Sequence, residues 1–385
     1  TYLAADDGTP VYPTICWPGS ADADAPKKLG APDSWEDIGL GMSGGLIGNR
    51  TTGAVTARPG GTGEASSPYV LANAEQLSWF AYKVSEGFPA YCGTMTADMD
   101  MFGTKYTGIS YDSSKNNMEQ GLRWVSMGKN ADVSKYYNYG GIFDGGGHQL
   151  SNLLVHEITN TAGFVATLSK SANQGILKDL GIKSGKIIGA GNNVGALAGV
   201  INGSGNILRC WNGAAVSGKS DVGGIVGPIL NCREVNIEGC YNTGDVTGTT
   251  FSSGGIAAST ANVYTGPVIR NCGNTGNVKG ANSSGIVNLL GLTSSGTWGT
   301  IANCYNAGVV AGTEKAGAIM AAKEGTVMNC YYDRTKTSKP GDGITSTEAK
   351  GVTTEQLQSW SAAYALNGYG LDQTEDSFAC TATTE

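Results

Sequence analysis

The amino-acid sequence predicts an all-β protein, a parallel β-helix in which coils of about 31 residues stack on one another. Three observations lead to this fold class. The chain has 60 glycines but only 11 prolines among 385 residues, which is about twice the usual share of glycine and unsuited to a helical bundle. Two different motifs recur along the chain at nearly the same interval. Between them lie short runs of valine, isoleucine and tyrosine that end at glycine turns, which is typical of strands.

The first motif is a cysteine followed by an aromatic residue or glycine and then, in most copies, by asparagine. Its cysteines recur at intervals of 30, 32, 32 and 26 residues, and they are Cys210, Cys240, Cys272, Cys304 and Cys330. A zinc site would need paired C-x-x-C spacing, which this sequence lacks. The regular interval favours a structural repeat in which each cysteine has the same place in successive coils. Neither a metal ion nor another cofactor is predicted.

The second motif is glycine followed by aliphatic residues, as in Val222-Gly-Gly-Ile-Val-Gly. Its glycines lie at positions 163, 195, 223, 254, 285 and 317, at intervals of 32, 28, 31, 31 and 32 residues. A repeat of this length is shorter than a propeller blade, and its runs are too short for the helices of a helical repeat. Each coil is expected to supply about three short strands and to rise by about 4.8 Å.

Identical residues should stack above one another in such a coil, and this predicts three columns. The cysteines form a structural column in the core. The asparagines form an amide ladder at a turn, and they are Asn212, Asn242, Asn274 and Asn306. If the cysteines point inward, the residues after them point outward, namely Trp211, Tyr241, Tyr305 and Tyr331, with a gap at Gly273. This aromatic row is the predicted binding face; the alternative is that its rings only cover the sheet.

Several motifs, in order, resemble the GLUG-repeat proteins of bacterial cell surfaces. They are the glycine and cysteine boxes, the segment Phe143-Asp-Gly-Gly-Gly-His-Gln-Leu-Ser-Asn-Leu and, upstream, Pro68-Tyr-Val-Leu-Ala-Asn-Ala-Glu-Gln-Leu-Ser-Trp-Phe-Ala and Thr96-Ala-Asp-Met-Asp-Met. The resemblance spans roughly residues 68–335. It implies a right-handed β-helix in an extracellular or cell-surface, adhesin-like protein, and it brings no catalytic residues. Ser284, Ala318 and Gly273 depart from the family pattern.

The domain boundaries follow from where these motifs begin and end. Residues 1–67 do not fit the repeat and are predicted to be an irregular N-terminal appendage or cap. Residues 68–335 form the β-helix, and residues 336–385 form a C-terminal tail.

Two capping patterns predict helices at the two ends of the β-helix. Asn73 and Gln76 mark the start of a short helix over about 73–86 that should lie against the first coil. Thr353 and Gln356 mark the start of a C-terminal capping helix over about 354–367. A cap is expected because the last coil of a solenoid exposes unpaired strand edges.

The charge distribution excludes several classes of partner. The chain has 25 basic and 32 acidic residues, a net charge of −7, and no cluster of basic residues, so nucleic acid and anionic membranes are not predicted partners. Its apolar runs are far shorter than the ~20 residues that span a bilayer, so no membrane insertion is predicted. The chain begins at Thr1 rather than methionine, which indicates either a processed exported protein or an excised piece. Export is the interpretation we favour, with an extracellular location on the bacterial cell surface.

The nine cysteines leave their pairing open. Neighbours in the cysteine column should be close enough for disulfides, but parallel side chains favour free thiols that pack as small apolar groups. Cys232 lies eight residues before Cys240 and is a candidate for local pairing. An odd total leaves at least one thiol free or intermolecular.

The sequence favours a binding role without catalysis. Charged residues in the coils, such as Asp221, Asp245 and Glu234, occupy unrelated repeat positions, so they form no carboxylate ladder. His148 and His156 lie apart from any nucleophile motif. We expect an extracellular adhesin or binding scaffold that contacts a glycan or a protein on a cell surface. Two alternatives stay open: a subunit of a self-assembling filament or surface layer, which binds copies of itself, and a polysaccharide lyase or hydrolase.

Overall fold

A computed structural model confirms the predicted fold, since the chain forms a right-handed parallel β-helix whose strands are arranged in three sheets. The structure describes residues 46–48, 55–57, 59–107, 109–129, 137–158, 161–170, 175–261, 264–289, 299–323, 325–359 and 366. Among these residues, no helix has both the length and the apolar character needed to cross a membrane.

The three sheets run along the axis of the β-helix, and every strand pair within them is parallel. Sheet I contains Tyr69–Leu71, Gly93–Met95, Ile142–Asp144, Val165–Leu168, Ile176–Lys178, Ala198–Leu208, Ile229–Glu238, Ala257–Ala261, Val268–Arg270, Val287–Leu289, Thr300–Ala302 and Thr326–Met328. Sheet II contains Met99–Asp100, Gln149–Ser151, Gly181–Ile182, Trp211–Asn212, Tyr241–Asn242, Gly273–Asn274, Tyr305–Asn306, Cys330–Asp333 and Ala349–Val352. Sheet III contains Arg123–Trp124, Leu153–Glu157, Thr161–Ala162, Gly185–Gly189, Asn193–Gly195, Ala215–Gly218, Asp221–Gly223, Val246–Gly248, Ser252–Gly254, Val278–Ser284 and Val310–Gly317.

Each coil passes from sheet II to sheet III and then to sheet I. The coil after Tyr241–Asn242 contributes two strands to sheet III, Val246–Gly248 and Ser252–Gly254, and then two to sheet I, Ala257–Ala261 and Val268–Arg270. The chain then returns to sheet II at Gly273–Asn274. The expectation of about three strands in a coil therefore matches the number of sheets, while this coil has five strand segments.

The strand register corrects one position in the glycine motif. Gly223 pairs with Gly254, Gly254 pairs with Ser284, and Ser284 pairs with Gly317. The sequence series counted Gly285 as the equivalent of Gly254, which is wrong by one residue. Ser284 therefore takes the place of the first glycine. It is accommodated there because its side chain is small, and its buried hydroxyl donates a hydrogen bond to the Asn288 side chain at 3.2 Å.

The core changes character along the axis. Its N-terminal end is aromatic: the rings of Phe80 and Phe143 lie 5.8 Å apart, those of Phe143 and Phe164 lie 5.1 Å apart, and Trp124 stacks on Phe164 at 5.3 Å. Further along, one fully buried aliphatic residue of each glycine box fills the same layer. These residues are Leu197, Ile225, Ile256, Ile286 and Ile319. Such a continuous apolar interior is the main stabilising contribution in a solenoid.

The first predicted helix is confirmed as α1, Ala74–Glu86. The Asn73 side chain accepts a hydrogen bond from the Gln76 backbone N–H at 2.9 Å, and the Gln76 side chain accepts one from Ala72 N–H at 2.8 Å. Gly87 ends the helix with a φ of 122°, which favours glycine. Two further α-helical turns, α2 and α3, comprise Thr104–Thr107 and Thr354–Leu357, and two 3₁₀ turns comprise Ser113–Lys115 and Met118–Gln120.

Both ends of the chain differ from the predicted boundaries. Within the segment predicted to be irregular, Leu46–Gly48 pairs antiparallel with Val55–Ala57. At the other end Ala349–Val352 pairs in parallel with Cys330–Asp333, so sheet II continues beyond the boundary predicted at residue 335. The capping box at Thr353 is present and starts α3. Of the helix predicted over 354–367, residues 360–365 and 367 lie outside the described residues.

Candidate functional site

Each strand in the middle of sheet II follows a corner residue with left-handed backbone. The φ angles at this corner lie between 49° and 62° in six successive coils, at Asp179, Arg209, Gly239, Asn271, Asn303 and Asn329. Glycine, asparagine and aspartate adopt this conformation at the lowest cost. No role is predicted from the sequence for these residues, although the asparagine before the cysteine in three boxes is the signature of such a corner.

The cysteine column lies inside this corner, where the structure buries all five side chains. Each Sγ donates to the carbonyl oxygen two residues earlier, as from Cys272 to Arg270 at 3.1 Å and from Cys304 to Ala302 at 3.2 Å. Burial raises the pKa of Cys272 and Cys304 well above the ordinary thiol value. Such thiols are poor nucleophiles, which fits a packing role for these two residues. At the end of the column, a hydrogen bond with Cys304 lowers the pKa of Cys330.

No disulfide joins the cysteines that the structure describes. The five column residues and Cys232 are free thiols. Cys232 is fully buried, and burial raises its pKa to about 12. Cys16 and Cys380 lie outside the described residues.

The asparagine column forms an uninterrupted amide ladder in the interior. The Nδ2 atom of Asn212 donates to Oδ1 of Asn242 at 2.8 Å, Asn242 to Asn274 at 2.8 Å, and Asn274 to Asn306 at 2.7 Å. Each Nδ2 also donates to the backbone carbonyl two residues later, as from Asn242 to Gly244 at 2.7 Å. Because all four side chains are fully buried, these bonds avoid the cost of unsatisfied polar groups.

The asparagine ladder also brings the two sequence motifs into contact. A Cβ on Gly224 would lie 2.5 Å from Cγ of Asn242, and a Cβ on Gly255 would lie 2.4 Å from Cγ of Asn274. Only glycine leaves room for the amide at these corners between sheets III and I. The second glycine of one motif and the asparagine of the other are therefore contact partners across the core.

The predicted aromatic row lies along the outer face of sheet II. The register pairs Trp211 with Tyr241, Tyr241 with Gly273, Gly273 with Tyr305, and Tyr305 with Tyr331. The Trp211 and Tyr241 rings are parallel within 2°, with centroids 5.8 Å apart. Tyr241 is the outermost member, with 44% of its surface exposed.

Two glycines on the outer face of sheet II leave space for aromatic rings from the following coil. A Cβ on Gly181 would lie 2.4 Å from Cε2 of Trp211, and one on Gly273 would lie 2.3 Å from Cε1 of Tyr305. The indole and the phenol therefore occupy the space over the glycines. The gap expected at Gly273 is filled by the Tyr305 ring. Burial raises the pKa of Tyr305, and the nearby Tyr241 adds to this shift.

A polar column flanks the aromatic row at the left-handed corner. Nδ2 of Asn329 donates to Oδ1 of Asn303 at 2.7 Å, and Nδ2 of Asn303 donates to Oδ1 of Asn271 at 3.2 Å. Two and three coils before Asn271 the corner is charged instead. There Arg209 makes two hydrogen bonds to Asp179, at 2.6 and 2.7 Å, which lower the pKa of that carboxyl.

The acidic groups near the N-terminal end of sheet II have structural partners. Asp98 accepts hydrogen bonds from the backbone and side chain of Gln149, and its Oδ1 lies 3.1 Å from Nδ1 of His148. Asp100 accepts from the Phe102 N–H and from the Asn152 side chain. These bonds join the first strand of sheet II to the second.

A buried ion pair joins the N-terminal coil to sheet III. Nζ of Lys129 lies 2.9 Å from Oε2 of Glu157, and the other carboxylate oxygen accepts from the Ser126 N–H at 3.0 Å. Ser126 is fully buried, and its hydroxyl accepts from the Gly163 N–H at 3.2 Å. Desolvation lowers the pKa of Lys129. Because Ser126 is enclosed and hydrogen-bonded to the backbone, the cluster of Lys129, Glu157 and Ser126 fits a role in packing.

Comparisons with known proteins provide support for the fold but no information on the function. No family model matches the chain, and no curated protein matches it either. Among solved structures, the chain is similar to a putative immunoglobulin A1 protease from Bacteroides ovatus. The TM-score is 0.59 at 22% sequence identity, over 77% of this chain and 87% of that one. At this identity the similarity shows a shared fold alone, and the resemblance to GLUG-repeat proteins stays a prediction.

Proposed function

We propose that the protein is an extracellular, non-catalytic binding module of the adhesin type, which holds its partner on the outer face of sheet II. The observation that carries this proposal is the aromatic row: Trp211, Tyr241, Tyr305 and Tyr331 lie in register on one face, and two glycines let rings lie over the neighbouring strand. Aromatic side chains that stay half-exposed on a sheet offer rigid contact area at a low entropic cost.

The surroundings of the row support recognition rather than chemistry. The amide column at Asn271 and Asn303 supplies hydrogen-bonding groups beside the rings. Carboxylates near the row already have partners, since Asp179 is bound by Arg209 and Glu238 by Arg270. The proposal takes no protease activity from the similar solved structure, because a shared β-helix says nothing about the site.

A binding assay on point variants tests this function. We expect the Trp211→Ala and Tyr305→Ala double variant to lose most binding to host cells, bacterial cells, glycan arrays or protein arrays, whichever the wild type recognises. Phe251→Ala is the matched control, because Phe251 is 51% exposed but lies outside sheet II. Equal binding by the double variant and the wild type, with both folded by circular dichroism, would refute this face as the site.

One observation favours self-assembly as a second candidate function. Thr326–Met328 ends the order of strands in sheet I, and it has no further strand partner among the residues that the structure describes. Met328 on this strand is 48% exposed. An open strand edge is a template for pairing with another chain. Negative-stain electron microscopy separates the candidates, because ordered fibres or sheets support assembly and isolated rods support the binding module.

A further inference from the structure

We propose that the partner on sheet II is an uncharged glycan chain that lies parallel to the axis of the β-helix. This inference rests on the proposed function and names its ligand. Its basis is a combination of three features: rings that lie over glycines, an amide column beside them, and the absence of charge from the central part of this surface. We call this surface, from Trp211 to Tyr331 with its flanking columns, the aromatic platform.

The arrangement of the rings favours a sugar over a protein side chain. Trp211 lies over Gly181 and Tyr305 lies over Gly273, so each ring leans across the strand of the preceding coil. Tyr241 stacks on Trp211 and has 44% of its surface exposed. The apolar C–H face of a pyranose stacks on aromatic surface that such a row leaves exposed.

The length and direction of the platform indicate a chain rather than a single sugar. Trp211 and Tyr331 are four strands apart in sheet II, which corresponds to about 19 Å at ~4.8 Å for each step. The aromatic positions succeed one another along the axis, not across it. A linear glycan on these rings must therefore run parallel to the axis.

The polar groups beside the rings suit hydroxyl groups. Asn303 uses one of its two N–H groups for Asn271, and Nδ2 of Asn271 donates no hydrogen bond within the described residues. Amides both donate and accept, which matches the dual character of a sugar hydroxyl. On the other side of the row, Thr243 and Thr275 are exposed. The platform thus offers stacking in its centre and hydrogen bonds along its edges, as carbohydrate recognition requires.

The charges exclude an acidic glycan as the best fit. Between Tyr241 and Tyr331 the corner column consists of Gly239, Asn271, Asn303 and Asn329, all uncharged. The guanidinium of Arg209 is bound by Asp179, and that of Arg270 is bound by Glu238 at 2.8 Å. Other cations lie near the two ends of the row: Lys183 follows the strand Gly181–Ile182, Lys350 pairs with Tyr331, and Arg334 follows the strand Cys330–Asp333. Within the described residues, a uronic-acid polymer would find no unpaired cation beside the central rings.

Calorimetry with oligosaccharides of increasing length tests the inference. The probes are linear cello-, xylo- and manno-oligosaccharides from the disaccharide to the octasaccharide, with oligogalacturonates of the same lengths as the acidic set. We expect at least one uncharged series to bind, with an affinity that rises with length until the chain spans the platform. The acidic set should bind at least about tenfold more weakly at low salt.

Two glycine variants test the ring geometry while every aromatic residue stays in place. Gly181→Ala and Gly273→Ala put a methyl group where the Trp211 and Tyr305 rings lie, so each ring must lift from the sheet. We expect each variant to lose about tenfold in affinity with a melting temperature close to that of the wild type. Gly60→Ala is the control, because a Cβ there meets nothing within 4 Å and affinity should not change.

Each outcome supports or overturns a defined part of the inference. Stronger binding of the acidic set overturns the uncharged class. An affinity that does not depend on chain length, or unchanged affinity in both glycine variants, overturns the axial chain. If no glycan binds but a protein or cell partner is lost in the Trp211→Ala and Tyr305→Ala variant, the binding module stands and the glycan is refuted. If that variant binds its partner like the wild type, the proposed function fails as well.

Discussion

The N-terminal end of the β-helix and its regular middle fill the same cross-section by different means. At the N-terminal end, Phe143 contacts Phe80 and Phe164, which come from distant parts of the chain and from different structural positions. In the middle, each ladder residue contacts copies of itself, as Asn242 contacts Asn212 and Asn274. A defect in the aromatic end is shared among several different contacts. A defect in the ladder instead leaves two identical neighbours without a partner.

The largest effect should follow from a charge in the aliphatic layer of the middle. Ile225 is fully buried, so Ile225→Asp places an unpaired carboxylate in the core and should cost more than about 4 kcal/mol. We expect loss of the cooperative thermal transition by circular dichroism, whereas Ile225→Val should cost about 1 kcal/mol. A normal melting curve for Ile225→Asp would show that the proposed register of the glycine motif is wrong.

The next effect concerns the aromatic end. Phe143 is fully buried between Phe80 and Phe164, so Phe143→Ala should cost about 3–5 kcal/mol through the lost contacts and the cavity. Chemical denaturation measures this change. Phe143→Leu fills most of the space and should recover most of the stability. Equal losses in both variants would indicate that ring contacts, rather than volume, stabilise this end.

Breaking the amide ladder should cost about 2–4 kcal/mol. Asn242→Leu removes the acceptor of Asn212 and the donor to Asn274, and it leaves both buried amides partly unsatisfied. Asn306→Leu removes only one ladder contact, so it should cost less. Denaturant unfolding of the two variants gives the comparison. Similar values would show that the ladder bonds do not contribute through their neighbours.

The same column sharpens the comparison where it changes from apolar to amide. In register, Leu150 lies between Met99 and Ile182, while Ile182 has Asn212 on its other side. An asparagine at 182 can extend the ladder by one step, but one at 150 meets only apolar neighbours. Leu150→Asn should therefore destabilise by about 1–3 kcal/mol more than Ile182→Asn. The reverse order in thermal unfolding would contradict the ladder as the source of stability.

The smallest effect belongs to the surface near the C-terminal strand. Hydrogen bonds from Lys323 and then from Thr345 lower the pKa of Glu348 to about 2, from an ordinary value of 4.5. Since the folded pKa is the lower one, this carboxylate stabilises the folded chain above pH 4.5, and the contribution is lost as pH falls toward 2. Glu348→Gln should cost less than about 1 kcal/mol at pH 7. Its melting temperature should approach that of the wild type near pH 2.

The features that repeat within one column could be predicted from the sequence. Recurring residue types predicted the coil, the inward cysteines and the asparagine ladder, and local capping rules predicted α1 at Asn73. Contacts between different columns could not be predicted from the sequence. That Gly224 faces Asn242, or that the Tyr305 ring fills the space over Gly273, depends on how the coil folds back across its own interior and on the size of the residue one coil away. Neither leaves a trace in the interval between like residues.

All the amide bonds of the ladder point the same way along the axis, from each Nδ2 to the Oδ1 of the following coil. Every interior coil thus presents a donor on one side and an acceptor on the other, so a duplicated coil can be inserted between two existing ones without a mismatch. In-frame duplication of residues 243–274 would lengthen the ladder, the cysteine column and the outer face together by one step of about 4.8 Å. The number of repeats in the gene therefore sets the length of the β-helix, and recombination between repeats is a direct route to proteins of different length.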